Sequence, residues 1–131
     1  MEEKGMSANR INISPALQEQ IRQLQQLEQQ YRSAVLQVEQ LSQQLRDVES
    51  SLKELENLSE DTKVFKAAGN VMFESPVGRV KEDLEDKKEI VTLHKSTIEK
   101  SGVRTKKKLD ELQKKVQEQL QLQTQSGVVG N

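Results

Sequence analysis

Two long heptad-patterned arms flank a short strand-like segment, and this symmetry constrains the fold more than any other feature of the chain. The first arm begins at Ser14-Pro15 and runs to about Leu58, and the second begins at Ser75-Pro76 and runs to about Thr124. Each Ser-Pro pair is a helix start signal, because serine caps free N–H groups and proline has no N–H to leave unbonded. Two matched arms joined by a compact reversal predict a mostly α fold, a long antiparallel coiled-coil helical hairpin.

The first arm carries the stronger heptad pattern. Eleven of its twelve a and d positions are apolar or aromatic. A period of 3.5 residues sustained over six heptads predicts a coiled coil. No Gly or Pro interrupts the arm between Ala16 and Leu58. The a positions are Leu17, Leu24, Tyr31, Val38, Leu45 and Leu52, and the d positions are Gln20, Leu27, Ala34, Leu41, Val48 and Leu55.

The second arm has a weaker seam. Val80, Leu84, Val91 and Ile98 mark one register, which places Lys87 and His94 at the intervening d positions. The apolar residues that follow, Leu109, Leu112, Val116 and Leu120, fit a shifted phase. Glycine inside a helix costs about 1 kcal/mol relative to alanine. We therefore expect a register change or a bend at Ser101-Gly102.

The segment between the arms predicts a single β-hairpin at the bend. Two stretches rich in strand formers, 63–66 and 71–74, flank the turn residues Ala67–Asn70. A lone two-stranded hairpin is marginally stable in water and presents unpaired edges. We therefore expect it to pair with equivalent hairpins of other chains. The residues predicted to make this oligomer contact are Val64, Phe65, Gly69, Val71, Met72 and Phe73.

Composition excludes several classes of function. The chain has 131 residues and a net charge of -1, so its overall charge does not suggest binding to nucleic acid or to a membrane. It has no cysteine, which excludes disulfides and thiol chemistry. There is no phosphate-binding loop and no cluster of His with Asp or Glu, so we expect neither an enzyme nor a cofactor. The run Lys106–Lys108 is interpreted as a solvated helix face rather than a nucleic-acid site. The N-terminus lacks a signal-peptide pattern, and we expect a cytoplasmic protein.

At this point the chain resembles the prefoldin family, in particular its β-type subunits. The resemblance covers about Leu17 to Gln119. It rests on Gln23-Leu-Gln-Gln-Leu-Glu-Gln-Gln-Tyr31, on the central Lys63-Val-Phe-Lys-Ala-Ala-Gly-Asn-Val-Met-Phe73, and on the stretch from Leu84 to Leu112. It implies one prefoldin-like domain over 1–131. Its parts are helices over 14–58 and 76–124, a β-hairpin over 62–74, and flexible ends over 1–13 and 125–131.

The resemblance implies a molecular chaperone subunit that acts without ATP. Prefoldins are hexamers of two α-type and four β-type subunits, whose β-hairpins assemble into β-barrels from which coiled-coil tentacles project. The tentacle tips hold unfolded client proteins and deliver them to a group II chaperonin. The single hairpin predicted here matches the β-type.

In a hairpin of this kind both chain ends lie at the tip, where exposed aliphatic residues suit clients with apolar segments in no fixed order. A structural coiled-coil tether without client binding is the alternative interpretation. A tether needs only a turn at the bend and has no use for an apolar β-hairpin. The expected client-binding residues are Ile11, Ile13, Leu17, Ile21 and Leu24 from the first arm, with Val116, Leu120 and Leu122 from the second.

Overall fold

The computed structural model describes the backbone of residues 13–129 and the side chains of residues 13–123. Helix α1 covers Pro15–Leu55, strands β1 and β2 cover Lys63–Ala68 and Val71–Pro76, and helix α2 covers Val77–Val129. The predicted fold class is confirmed, since two long helices flank one antiparallel β-hairpin. The predicted flexible end 1–13 lies, except for Ile13, outside the described residues. Helix α2 continues five residues beyond the predicted end at Thr124.

Helix α1 begins at the predicted cap and buries the predicted stripe. The Ser14 hydroxyl accepts a hydrogen bond from the Leu17 N–H at 3.1 Å, and the Ser14 carbonyl accepts one from the Gln18 N–H at 2.9 Å. All twelve predicted a and d positions are buried or half-buried, and Leu41 and Val48 are among the core residues. Spacing alone therefore located the packed face of this helix.

The connection from α1 to the hairpin is a short run of turns. Helix α1 ends at Leu55, three residues before the predicted end. The Leu58 N–H then donates to the Leu55 carbonyl at 3.1 Å, and the Thr62 N–H donates to the Ser59 carbonyl at 3.0 Å. These bonds satisfy polar backbone groups that the helix no longer pairs.

The β-hairpin is closed by a two-residue turn. Ala68 pairs with Val71, so Gly69 and Asn70 form the turn. Gly69 has a φ of +61°, while no non-glycine residue among those described has a positive φ. A positive φ at only the first central residue is the pattern of a type II′ turn, in which glycine is favoured. Both strands are longer than predicted: β1 continues through Ala67 and Ala68, which were predicted as turn residues, and β2 continues through Ser75 and Pro76.

The start of α2 corrects the prediction from Ser75-Pro76. Ser75 is a buried strand residue opposite Val64, and Pro76 ends β2 opposite Lys63, so neither begins the helix. The first helical N–H groups are capped by backbone carbonyls across the bend. The Val77 N–H donates to the Thr62 carbonyl at 2.8 Å, and the Gly78 N–H donates to the Glu60 carbonyl at 3.0 Å.

Helix α2 keeps one register, so the expected register change at Ser101-Gly102 is wrong. Its buried and half-buried positions recur at alternating steps of four and three residues, and the helix is unbroken through Gly102. Lys87 and His94, predicted at d positions, are both exposed. The seam positions are Val77, Lys81, Leu84, Lys88, Val91, Lys95, Ile98, Gly102, Thr105, Leu109, Leu112 and Val116.

The described chain divides into two compact units, each built from segments of both helices. The hairpin unit comprises 34–100 and contains the β-hairpin, and its most buried residues include Val48, Val77 and Val91. The terminal unit comprises 13–33 with 101–129, and it buries Leu17, Leu109 and Val116.

Candidate functional site

The β-hairpin exposes apolar side chains on both of its faces. Residues directly opposite each other in the ladder share a face, so Phe65, Ala67 and Met72 lie on one side. On that side Phe65 is 69% exposed and Met72 is 67% exposed. The other side carries Val71 and Phe73, which are 62% and 43% exposed. Within the described chain, this sheet has two strands only and no second layer on the Phe65 side.

Such a hairpin is incomplete as a folded element. Two strands alone leave both outer edges with unpaired N–H and carbonyl groups. Exposed apolar side chains on both faces add an unfavourable contact with water that a soluble monomer ordinarily avoids. Of the six predicted contact residues, only Val64 is half-buried, and Gly69 forms the turn. The arrangement is therefore suited to pairing with further strands and covering by further apolar surface.

An ion pair joins the hairpin to the second helix. The Lys66 ammonium donates to the Asp83 carboxylate at 2.9 Å, and both side chains are partly exposed. The hydrogen bond from Lys66, its charge and the weaker charge of Arg79 hold the pKa of Asp83 below its ordinary value. Lys66 lies on the same face as Val64 and Phe73, so this face is the one turned toward α2.

The terminal unit brings together most of the residues predicted to bind clients. Ile13, Ile21, Leu24 and Leu120 are half-buried, and Leu122 is 57% exposed. Ile11 lies outside the described residues. These aliphatic groups remain partly available to a second molecule.

Two of the predicted client-binding residues are part of the core instead. Leu17 is only 2% exposed and Val116 only 5% exposed. The prediction that the tip exposes Leu17 is therefore wrong. It failed because Leu17 is itself the first a position of the seam, and a seam residue packs inside its unit as soon as a second helix is present.

A three-residue contact joins the two helices of the terminal unit. The Lys106 ammonium lies 5.5 Å from the centroid of the Tyr31 ring, and it also donates to the Asp110 carboxylate at 3.1 Å. A cation over an aromatic face is attracted by about 0.5–1 kcal/mol at exposed sites. The contact favours the observed alignment of the two helix segments. Lys106 is therefore a structural residue rather than a free member of a basic run.

Several exposed apolar residues lie outside the predicted set. Ile90 and Leu93 are 66% and 63% exposed on α2, and Val103 is 71% exposed. On α1 the neighbouring pair Val35 and Leu36 is also exposed. The sequence did contain the signal for these residues, since each is an apolar residue outside the seam of its own helix.

The described part of the chain has no group of three or more His, Asp or Glu side chains placed to hold a metal ion. No helix among the described residues is both long enough and apolar enough to cross a membrane.

Comparison with known proteins agrees with the architecture. Residues 18–123 match the family model of the prefoldin subunit. The prefoldin subunit beta of Sulfurisphaera tokodaii is 36% identical over 108 residues, which cover 82% of this chain and 86% of that protein. The prefoldin subunit beta of Archaeoglobus fulgidus is 32% identical over 105 residues, which cover 80% of this chain and 90% of that protein.

A solved structure gives the same result at the level of the fold. The crystal structure of the prefoldin beta subunit from Thermococcus strain KS-1 superimposes with a TM-score of 0.74 at 26% sequence identity. The alignment covers 85% of this chain and 97% of that one. The two-helix arrangement with one β-hairpin is thus shared along almost the whole of the solved chain.

Proposed function

Since this chain belongs to the prefoldin family as a β-type subunit, we propose that it acts in a chaperone that holds unfolded proteins without ATP. The prefoldin subunits are a chaperone family, and membership implies a hetero-oligomer with other prefoldin subunits. The proposed assembly and client capture rest on two exposed surfaces, the β-hairpin and the terminal unit.

The observation that carries the proposal is the exposed apolar surface of the hairpin, which is largest on the Phe65 side and smaller on the side turned toward α2. Phe65 and Met72 on one side, and Val71 and Phe73 on the other, need both lateral strand partners and a facing layer. Closure of several hairpins into a β-barrel supplies both at once, because a closed sheet has no edges and a filled interior. We assign this role to a hexamer of four copies of this chain and two α-type subunits.

Client capture is assigned to the aliphatic residues of the terminal unit. Ile13, Ile21, Leu24, Leu120 and Leu122 are partly or largely exposed, and the predicted contact at Ile11 belongs to the same chain end. Each contact with an unfolded chain is weak, but several copies in one hexamer add through effective concentration. Weak contacts also dissociate readily, so release to a group II chaperonin requires competition rather than nucleotide hydrolysis. We propose that this activity takes place in the cytoplasm.

Leu17 and Val116 take a supporting role in this proposal. Their burial leaves them little surface for a client, but they hold together the helix segments that carry the exposed groups. A substitution at either position would disturb the packing of the terminal unit and would confuse a test of client binding. A clean test therefore leaves both residues unchanged.

The test replaces one exposed and two half-buried residues of the terminal unit. The triple variant Ile13→Ser, Ile21→Ser and Leu122→Ser is assembled with an α-type subunit and mixed with a chemically denatured client, without nucleotide. Light scattering reports aggregation of the client, and native mass reports assembly. The variant is expected to lose suppression of aggregation while its native mass is unchanged.

The matched control removes three exposed apolar residues from the hairpin unit instead. Leu36→Ser, Ile90→Ser and Leu93→Ser remove more exposed aliphatic surface than the test variant, since all three are more than half exposed whereas Ile13 and Ile21 are half-buried. This control is expected to suppress aggregation as well as the wild type. Full suppression by the terminal-unit variant, or equal loss in both variants, would contradict the assignment.

A further inference from the structure

One side of α2 in the terminal unit is basic and largely without ionic partners. Residues 101–123 contain six basic and three acidic residues, a net charge of +3. Lys106 is engaged by Asp110 and Tyr31. The remaining five are exposed, and no ion pair among the described residues engages any of them. This set, the basic stripe, consists of Arg104, Lys107, Lys108, Lys114 and Lys115.

The stripe follows the helix away from its packed seam. Lys107 and Lys114 are seven residues apart, as are Lys108 and Lys115, so each pair recurs on the same side of the helix. From Arg104 to Lys115 the helix rises about 16 Å at 1.5 Å per residue. An extended peptide of roughly five residues spans the same length.

The facing helix does not neutralise the stripe. In the part of α1 that belongs to the terminal unit, the acidic residues are Glu19 and Glu28. Glu19 pairs with Arg22, and Glu28 pairs with Arg32 at 3.3 Å. The hairpin unit, in contrast, contains ten basic and fourteen acidic residues, a net charge of -4. The positive charge of the chain is therefore concentrated in the unit that carries the proposed client-binding residues.

We propose that the basic stripe binds acidic segments of unfolded client polypeptides, next to the apolar contacts made by the terminal unit. This inference rests on the proposed holding function and adds a preference among clients. A client segment that combines apolar residues with neighbouring Asp or Glu would contact both surfaces. Exposed ion pairs are individually weak and are screened by salt, so the stripe adds selectivity while leaving binding reversible.

The pattern favours an acidic polypeptide over a nucleic acid. Glu111 and Glu118 lie among the lysines of the stripe, where they would repel a continuous phosphate backbone. The stripe contains no aromatic residue on which bases could stack. Separate carboxylates on a flexible peptide can approach the lysines and avoid the two glutamates.

The test compares two unstructured fluorescent peptides that share an apolar centre. One is flanked by glutamates and the other by serines, and binding to the assembled complex is followed by anisotropy at ~50 mM and ~500 mM NaCl. The stripe variant carries Lys107→Gln, Lys108→Gln and Lys115→Gln. The control variant carries Lys53→Gln, Lys87→Gln and Lys100→Gln, three exposed lysines of the hairpin unit. Both variants change the net charge equally.

At low salt, the wild-type complex is expected to bind the glutamate-flanked peptide more tightly than the serine-flanked peptide. This preference should vanish at high salt. The stripe variant should bind that peptide roughly fivefold to tenfold more weakly, as expected for three lost exposed pairs. Its affinity for the serine-flanked peptide should not change. The control variant should behave as the wild type.

Three outcomes would overturn the inference, and they differ in meaning. Equal binding of both peptides, unaffected by the stripe variant, removes the acidic preference but leaves client holding intact. Failure of the wild type to bind either peptide refutes the holding function and the inference with it. In a competition assay, a single-stranded oligonucleotide and the unlabelled acidic peptide each displace the labelled acidic peptide. If the oligonucleotide does so at the lower concentration, the stripe is reassigned to nucleic acid.

Discussion

Replacement of Phe65 by alanine is expected to change the stability of the single chain little and to weaken its assembly strongly. Phe65 is 69% exposed in the single chain, so its removal should cost the chain itself less than about 0.5 kcal/mol. A phenylalanine side chain buries about 150–250 Å² when it is fully covered. Covering its exposed part therefore removes roughly 100–170 Å² from water, or about 2.5–4 kcal/mol per subunit.

The assay is light scattering after size exclusion, performed over a concentration series of the chain mixed with an α-type subunit. A loss of that size should shift the concentration at which the complex dissociates by roughly a hundredfold or more. The control is Ile90→Ala, since Ile90 is 66% exposed but lies outside the hairpin. An unchanged dissociation point for Phe65→Ala would contradict the burial of Phe65 in the assembly, and so would an equal shift in the control.

Three further predictions concern stability and charge. Val48→Ala should lower the free energy of unfolding by about 2 kcal/mol, whereas Val35→Ala should stay within about 0.5 kcal/mol, because Val48 is 3% exposed and Val35 is 48% exposed; equal losses in chemical denaturation would contradict this. Gly69→Ala should destabilise the hairpin by about 1–2 kcal/mol through its φ of +61° alone, because no atom lies within 4 Å of an added Cβ; an unchanged melting temperature of the complex would argue against the strained turn. Lys66→Met should raise the pKa of Asp83 toward its ordinary value in an NMR titration, since Lys66 is the main cause of the lowered pKa; no change would exclude the ion pair in solution.

The lowered pKa of Asp83 determines how the Lys66–Asp83 ion pair contributes to stability at different pH values. A carboxyl group whose pKa is lowered by folding stabilises the folded state above its unfolded pKa. The contribution of the Lys66–Asp83 pair is therefore present at neutral pH and is lost as the pH falls through the lowered pKa of Asp83.

The first helix was predictable because both of its signals, the N-cap and the repeated heptad pattern, lie within its own sequence. Each of its twelve seam positions was assigned from spacing, and the Ser14 cap was assigned from the residue types that precede the stripe. The second helix was harder, because Lys88, Lys95 and Gly102 occupy half-buried or buried seam positions. A search for apolar residues passes over lysine, although its aliphatic stem packs along a seam while the ammonium reaches water.

The start of α2 and the burial of Leu17 depend on residues far away in sequence. Ser75-Pro76 has the composition of a helix start, but the carbonyls of Glu60 and Thr62 cap the helix and allow β2 to continue through Pro76. Leu17 was expected at an exposed tip, yet in the terminal unit it lies in the core. Long-range backbone caps and the covering of a seam residue cannot be inferred from local residue types alone.

The native mass of the purified chain, alone and mixed with an α-type prefoldin subunit, distinguishes a prefoldin subunit from a coiled-coil tether. Mixing is expected to produce a complex of two partner subunits and four copies of this chain. A stable dimer that ignores the partner would contradict it. That result would favour a coiled-coil tether and would leave the exposed residues Phe65, Val71 and Met72 without a role.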